Sequence, residues 1–134
     1  MRFLLDTNTI IFLLKDPQTG TISQNLRMMK ASEVVTSSIV MSELISGARR
    51  GSPERLDQNL LTLKSLRFAI LPFDTTDAEA AGGIDAALKR AGTPIGPLDV
   101  LIAGQGLARG LTVVTNNTRE FARVKGLNVI DWTV

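Results

Sequence analysis

Phe3-Leu4-Leu5-Asp6-Thr7-Asn8-Thr9-Ile10-Ile11-Phe12-Leu13-Leu14-Lys15 decides the reading of the fold. Two periodicities meet in it. Residues 2–5 form a short run that reads as a buried strand. From Thr9 to Lys15 the residues Ile10, Ile11, Leu13 and Leu14 make the apolar stripe of a helix, with Thr7 or Asn8 as its cap. Asp16-Pro17 stops that helix. A strand that runs at once into a helix, with an acid at the junction, is the opening of a β-α-β unit.

The same alternation continues along the chain. Thr21–Lys30 reads as a weaker helix carrying Ile22, Leu26 and Met29, and Val34-Val35-Thr36 as a strand. Ser37 or Ser38 caps a helix to Arg50, closed by Gly51 in the C′ position. Ser52-Pro53 opens a helix bearing Leu56, Leu60, Leu63 and Leu66. Phe68–Phe73 is a third strand. Thr75 or Thr76 caps a helix over Asp77–Arg90 that ends at Gly92. Gly82-Gly83 weakens that helix by about 1 kcal/mol per glycine, and is a place where another element can pack closely. Pro97 fits the first position of a helix running to Arg109 and stopped by Gly110. Leu111–Thr115 is a fourth strand, Thr118–Arg123 a short helix and Asn128-Val129-Ile130 an edge strand. Strands separated by helices predict an α/β fold with a mainly parallel sheet covered on both faces, and 134 residues predict a single domain over 1–134.

Composition narrows the chemistry. With 44% hydrophobic residues the chain can build a core. It has no cysteine and no histidine, so thiolate sites, disulfides and imidazole acid–base catalysis are excluded. No apolar stretch approaches the roughly 20 residues that span a bilayer, and the N-terminus lacks the apolar region of a signal peptide. A cytoplasmic protein is expected. Net charge is only +2, but if several acids withdraw into one site the remaining surface is basic. Candidate phosphate contacts are Arg49, Arg50, Arg55, Lys89, Arg90, Arg109, Arg119, Arg123 and Lys125; for any one of them a solvated helix face is the simpler reading.

Four acids stand in apolar or turn-like settings. Asp6 ends Phe3-Leu4-Leu5, Glu43 follows Ile39-Val40-Met41-Ser42, Asp99 lies inside Leu98-Asp99-Val100-Leu101-Ile102, and Glu120 precedes Phe121. Acids beside apolar runs are candidates for burial, where an unpaired charge is costly. A hard cation such as Mg²⁺ or Mn²⁺ resolves the conflict, because it takes oxygen ligands. In a parallel sheet the carboxyl ends of the strands form one crevice, and all four acids can face it. Simpler readings exist for each. Asp6 suits a cap, Glu43 and Asp99 suit first-turn acids favoured by the helix dipole, and Glu120 can pair with Arg119, Arg123 or Lys125.

Read together, Leu5-Asp6-Thr7-Asn8, Ser42-Glu43-Leu44, Pro97-Leu98-Asp99-Val100-Leu101-Ile102-Ala103 and Val114-Thr115-Asn116-Asn117-Thr118-Arg119-Glu120-Phe121 resemble the PIN-domain ribonucleases, and more narrowly the VapC toxins of toxin–antitoxin pairs. The resemblance spans the chain, including Gly47-Ala48 and Asp131-Trp132. It implies a three-layer sandwich with a five-stranded parallel sheet. It also implies a Mg²⁺- or Mn²⁺-dependent endoribonuclease acting on structured RNA, a tRNA or rRNA loop, and so inhibiting translation. Asp6, Glu43 and Asp99 match the family's central acids. Many PIN domains carry an aspartate where this chain has Asn117, and here Glu120 is the natural fourth acid. Asp6 and Asp99 are the expected metal ligands, with Asn8, Thr115 and Asn117 orienting them. The implied partners are RNA, a VapB-type antitoxin and a second copy of the chain; no membrane is implied. Two rivals remain at this point. A phosphate-accepting aspartyl domain is disfavoured by Asn8 at its second acidic position. A catalytically inactive PIN-fold binding module requires the loss of a central acid.

Overall fold

The computed structural model describes residues 1–16, 19–65 and 67–134. Among them, five strands form one sheet: β1 (Phe3–Leu5), β2 (Val34–Ser37), β3 (Ala69–Leu71), β4 (Thr112–Val114) and β5 (Val129–Ile130). The helices are α1 (Thr7–Lys15), α2 (Thr21–Arg27), α3 (Ser38–Arg50), α4 (Leu56–Lys64), α5 (Thr75–Arg90), α6 (Pro97–Arg109) and α7 (Thr118–Phe121). Short 3-10 turns cover Ala31–Glu33 and Pro53–Arg55.

The strand order is β3-β2-β1-β4-β5, and every adjacent pair is parallel. β1 is central, with Leu4 opposite Val35 on one side and Val113 on the other. β1 and β2 are buried along their whole length, as strands covered by helices on both faces must be. β3 lies at an edge and exposes Ala69 and Ile70. The core joins Leu4, Leu5 and Val113 of the sheet to Ile10, Val40, Ile102 and Phe121 of the helices. Trp132 closes the chain against Phe3, ring centroids 5.1 Å apart.

The expected elements are present, and their ends differ in instructive ways. Asp6, not Thr7 or Asn8, caps α1, and Asp74, not Thr75 or Thr76, caps α5 through a reciprocal capping box with Asp77. Both kinds of residue cap well, so local preference cannot choose between neighbours. α2 ends at Arg27, before Lys30. Ser52-Pro53 opens a 3-10 turn, and α4 begins only at Leu56. Gly51 caps α3 with φ −75°, in extended backbone and not the left-handed form, whereas Gly110 ends α6 with φ 66°. A Cβ at Gly82 or Gly83 would meet only open space; the close approach is at Gly104, where a Cβ would come within 2.6 Å of Ala81. Pro17, expected to stop α1, and Leu66, expected on the apolar stripe of α4, lie outside the described residues, as do the side chains of Leu56 and Leu60. Leu63 of that stripe is buried. Among the described residues no helix is long and apolar enough to cross a membrane.

Candidate active site

The strand order turns outward in both directions from β1, and β4 is its neighbour on the far side from β2. Chain ends leaving adjacent strands toward opposite faces open a crevice at their carboxyl ends. Asp6 and Thr115 are the residues that leave β1 and β4 there. The rim is tightly tied. The Asp6 amide and the Thr9 hydroxyl both donate to the Val114 carbonyl, at 3.1 and 2.9 Å, and the Thr36 hydroxyl donates to the Leu5 carbonyl at 2.9 Å.

Each of the four acids reaches this crevice from a different element. Asp6 is buried, and its Oδ1 accepts the Thr9 amide at 2.8 Å as the cap of α1. Burial pushes its carboxyl up; hydrogen bonds from Thr115 and Thr9 oppose this, the Glu43 charge adds to it, and the net shift is upward. Glu43 sits half-buried in the second turn of α3 and accepts the Thr7 hydroxyl at 2.7 Å. Asp99 is the third residue of α6, placed by Pro97 in the first turn. Its carboxyl is pushed up to about 6, first by burial, then by the charges of Glu120, Asp6 and Glu43. Glu120, third in α7, accepts the Asn117 side-chain amide at 3.0 Å and shares a hydrogen bond with Asp99. Asn117 is itself held by its amide on the Thr115 hydroxyl, at 2.9 Å.

No lysine or arginine among the described residues forms an ion pair with any of these four acids. Mutual repulsion in such a cluster is relieved by a proton or by a cation. All the donors are oxygens, which is the set that Mg²⁺ and Mn²⁺ prefer, so the residues fit a hard divalent ion. Among the described residues no three acids stand close enough to grip one ion together.

Thr115 hydrogen-bonds Asp6, Asn117 hydrogen-bonds Glu120 and neither Asp6 nor Asp99, and Asn8 is exposed and hydrogen-bonds none of the four acids. Arg109, a candidate phosphate contact from sequence, is committed instead to Asp77, and Lys89 pairs with Asp85 at 2.9 Å. Beside Glu43 an open groove of about 910 Å³ runs between α1 and α3, with Asn8, Ile11, Leu44, Arg50 and Leu98 on its walls. Sequence reasoning missed Thr7 as the partner of Glu43. Its only sequence signal was a hydroxyl residue next to Asp6, a position equally suited to capping.

Five parallel strands in this order, with acids gathered where β1 and β4 diverge, are the architecture of a PIN-type nuclease fold. Residues 3–127 match the PIN domain. The chain is 44% identical to the tRNA(fMet)-specific endonuclease VapC of Salmonella typhimurium, over 98% of both proteins. It is 40% identical to the protein of the same name from Shigella flexneri, over 99% of both. A VapBC crystal structure from Salmonella typhimurium, bound to DNA, contains a chain of the same fold, with a TM-score of 0.91, 41% identity and 98% coverage of each chain. The chain belongs to the PIN-domain family and, within it, to the VapC ribonucleases, the toxins of VapBC toxin–antitoxin pairs. PIN-domain ribonucleases generally depend on divalent metal.

Proposed function

We propose that residues 1–134 act as one catalytic domain that hydrolyses a phosphodiester in a tRNA loop, using Mg²⁺ or Mn²⁺ held by Asp6 and Asp99. Glu43 and Glu120 complete the acidic centre, and Thr115 and Asn117 orient it. The tRNA assignment leans on the Salmonella and Shigella relatives, whose names specify that substrate. The observation that supports the reading best is the convergence itself. Acids from the cap of α1 and from α3, α6 and α7 converge, and their charges add to burial in raising the Asp6 and Asp99 carboxyls, in a crevice with no basic partner among the described residues. When bound, the ion supplies charge that neutralises the scissile phosphate and makes water a competent nucleophile near neutral pH. Asp6 is immobilised for this by its cap bond, and Asp99 by the first turn of α6. The chain works in the cytoplasm as a homodimer, where a VapB-type antitoxin covers the crevice and its release halts translation.

Incubating antitoxin-free protein with total tRNA in Mg²⁺, Mn²⁺ or EDTA, beside Asp6→Asn, tests this. Discrete products with 5′-phosphate and 3′-hydroxyl ends are expected, absent with EDTA and with Asp6→Asn. A 2′,3′-cyclic phosphate end, or cleavage that survives EDTA, overturns the mechanism.

A further inference from the structure

We propose that Thr7 is a positioning residue for Glu43, aiming its carboxylate at the crevice. The inference rests on the metal-dependent reading above. The Thr7 hydroxyl donates to Glu43 Oε1 at 2.7 Å, the length of a charge-assisted O–H···O⁻ bond. Among the described residues it is the one side-chain hydrogen bond that Glu43 makes. Glutamate has several rotatable bonds, and this one is half-exposed with like charges nearby. Left alone, it gains both freedom and distance from Asp6 and Asp99 by swinging to solvent.

Thr7 is well built to prevent that. It is the first residue of α1, directly after Asp6, and its branched Cβ restricts the first side-chain bond to few rotamers. The turn that carries it is pinned at Asp6 by the Thr9 amide and at Val114 by the Thr9 hydroxyl. A hydroxyl fixed relative to Asp6 therefore fixes Glu43 relative to Asp6, although one acid caps α1 and the other lies in α3. The neighbouring hydroxyls serve other ends: Thr9 and Thr36 donate to main-chain carbonyls, and Thr115 holds Asp6 and Asn117.

Four variants test this: Thr7→Val, Thr7→Ser, Glu43→Gln and the double Thr7→Val/Glu43→Gln. Mn²⁺ affinity is read by calorimetry on antitoxin-free protein without RNA, beside thermal melting and tRNA cleavage kinetics. Thr7→Val is expected to weaken Mn²⁺ binding and lower kcat by about tenfold each, with KM nearly unchanged, as loss of an orienting partner does. Thr7→Ser, which keeps the hydroxyl, restores both. In the Glu43→Gln background Thr7→Val adds no further loss of Mn²⁺ affinity, because the coupling runs through Glu43. Thr7→Ala supplies the same hydroxyl-free comparison if Thr7→Val melts early. Wild-type behaviour of the hydroxyl-free variants, or an equal loss in the Glu43→Gln background, overturns the positioning role. Wild-type protein that neither binds Mn²⁺ nor cleaves RNA overturns the metal-dependent reading first, and this inference with it.

Discussion

Two regions of the molecule bury carboxylates and surround them in opposite ways. At the junction of α5 and α6, Asp77 is completely buried. Arg109 meets it with a two-pronged contact, Nε to Oδ1 at 3.2 Å and Nη2 to Oδ2 at 3.0 Å, while Nη2 also donates to the Pro72 carbonyl at 2.8 Å. The Asp74 amide adds a bond at 2.9 Å, and buried Gln105 donates to the Leu71 and Pro72 carbonyls beside it. Burial pushes the Asp77 carboxyl up, but the bonds from Arg109 and Asp74 outweigh it, and the net shift is downward. In the crevice, burial pushes Asp99 up and the neighbours that follow are all acids, so nothing offsets it. Burial alone therefore does not set the outcome: fully buried Asp77 is lowered and half-buried Asp99 is raised, and the sign of the neighbours decides. An acid with a matched guanidinium holds a fold together; acids crowded against one another leave a place for a cation.

The sharpest way to break the comparison is Asp99→Asn. It removes a carboxylate while keeping shape, so tRNA cleavage should fall on the order of 10³-fold or more, while the metal-free protein melts no lower than wild type. A large fall in its melting temperature would mean that Asp99 is structural like Asp77. Next in size is Arg109→Met, which strands Asp77 without its partner. Breaking a buried pair from one side costs about 3–5 kcal/mol, to be read by urea unfolding, and Mn²⁺ affinity of the folded protein should be nearly unchanged because the Asp77–Arg109 pair and the crevice share no partner. Coupled loss of Mn²⁺ binding would show that the two regions are one unit.

The smallest effect is the pH dependence of thermal melting, and its two limbs have opposite sign. Asp99 ionises at the ordinary 3.8 when unfolded but near 6 when folded. Between those values the native state holds more protons, so stability falls as pH rises, and the penalty is complete above about 6. Asp77 is lowered on folding, so its contribution is complete above 3.8 and is lost as pH drops through the folded value. The metal-free protein should thus lose melting temperature from pH 4 toward 7. Asp99→Asn should make that limb shallower, leaving the share of the raised Asp6, and keep the loss below pH 4. A wild-type profile that rises between pH 4 and 7 would contradict the raised Asp99.

Much of this was legible before the structure. Phe3-Leu4-Leu5 reads as a strand buried on both faces, and the alternation that follows specifies a parallel sheet; both are found. The positions of Asp6, Glu43, Asp99 and Glu120 next to strand ends or early in helices also foretold that they could share a crevice. Less was legible where neighbours compete. Asp6 and Thr7 both suit a cap, and only the surrounding chain gives the cap to Asp6 and leaves the Thr7 hydroxyl for Glu43. Gly82-Gly83 looked like the place for a close approach, yet Gly104 meets Ala81. Arg109 looked like a phosphate contact until Asp77, 32 residues earlier, was found against it.

What the sequence determined by itself is whatever depends on neighbours along the chain: apolar periodicity, capping chemistry, and the supply of carboxylates without histidine or cysteine. Those set strands, helices and the oxygen-only character of the site, because backbone conformation and ligand type are local properties. Only the tertiary structure decided which charges face one another. Asp77 received an arginine and Asp99 received acids because the helices bring together residues far apart in the chain. Electrostatic energy depends on that separation in space and on burial, and neither is written in the spacing of residues along a sequence.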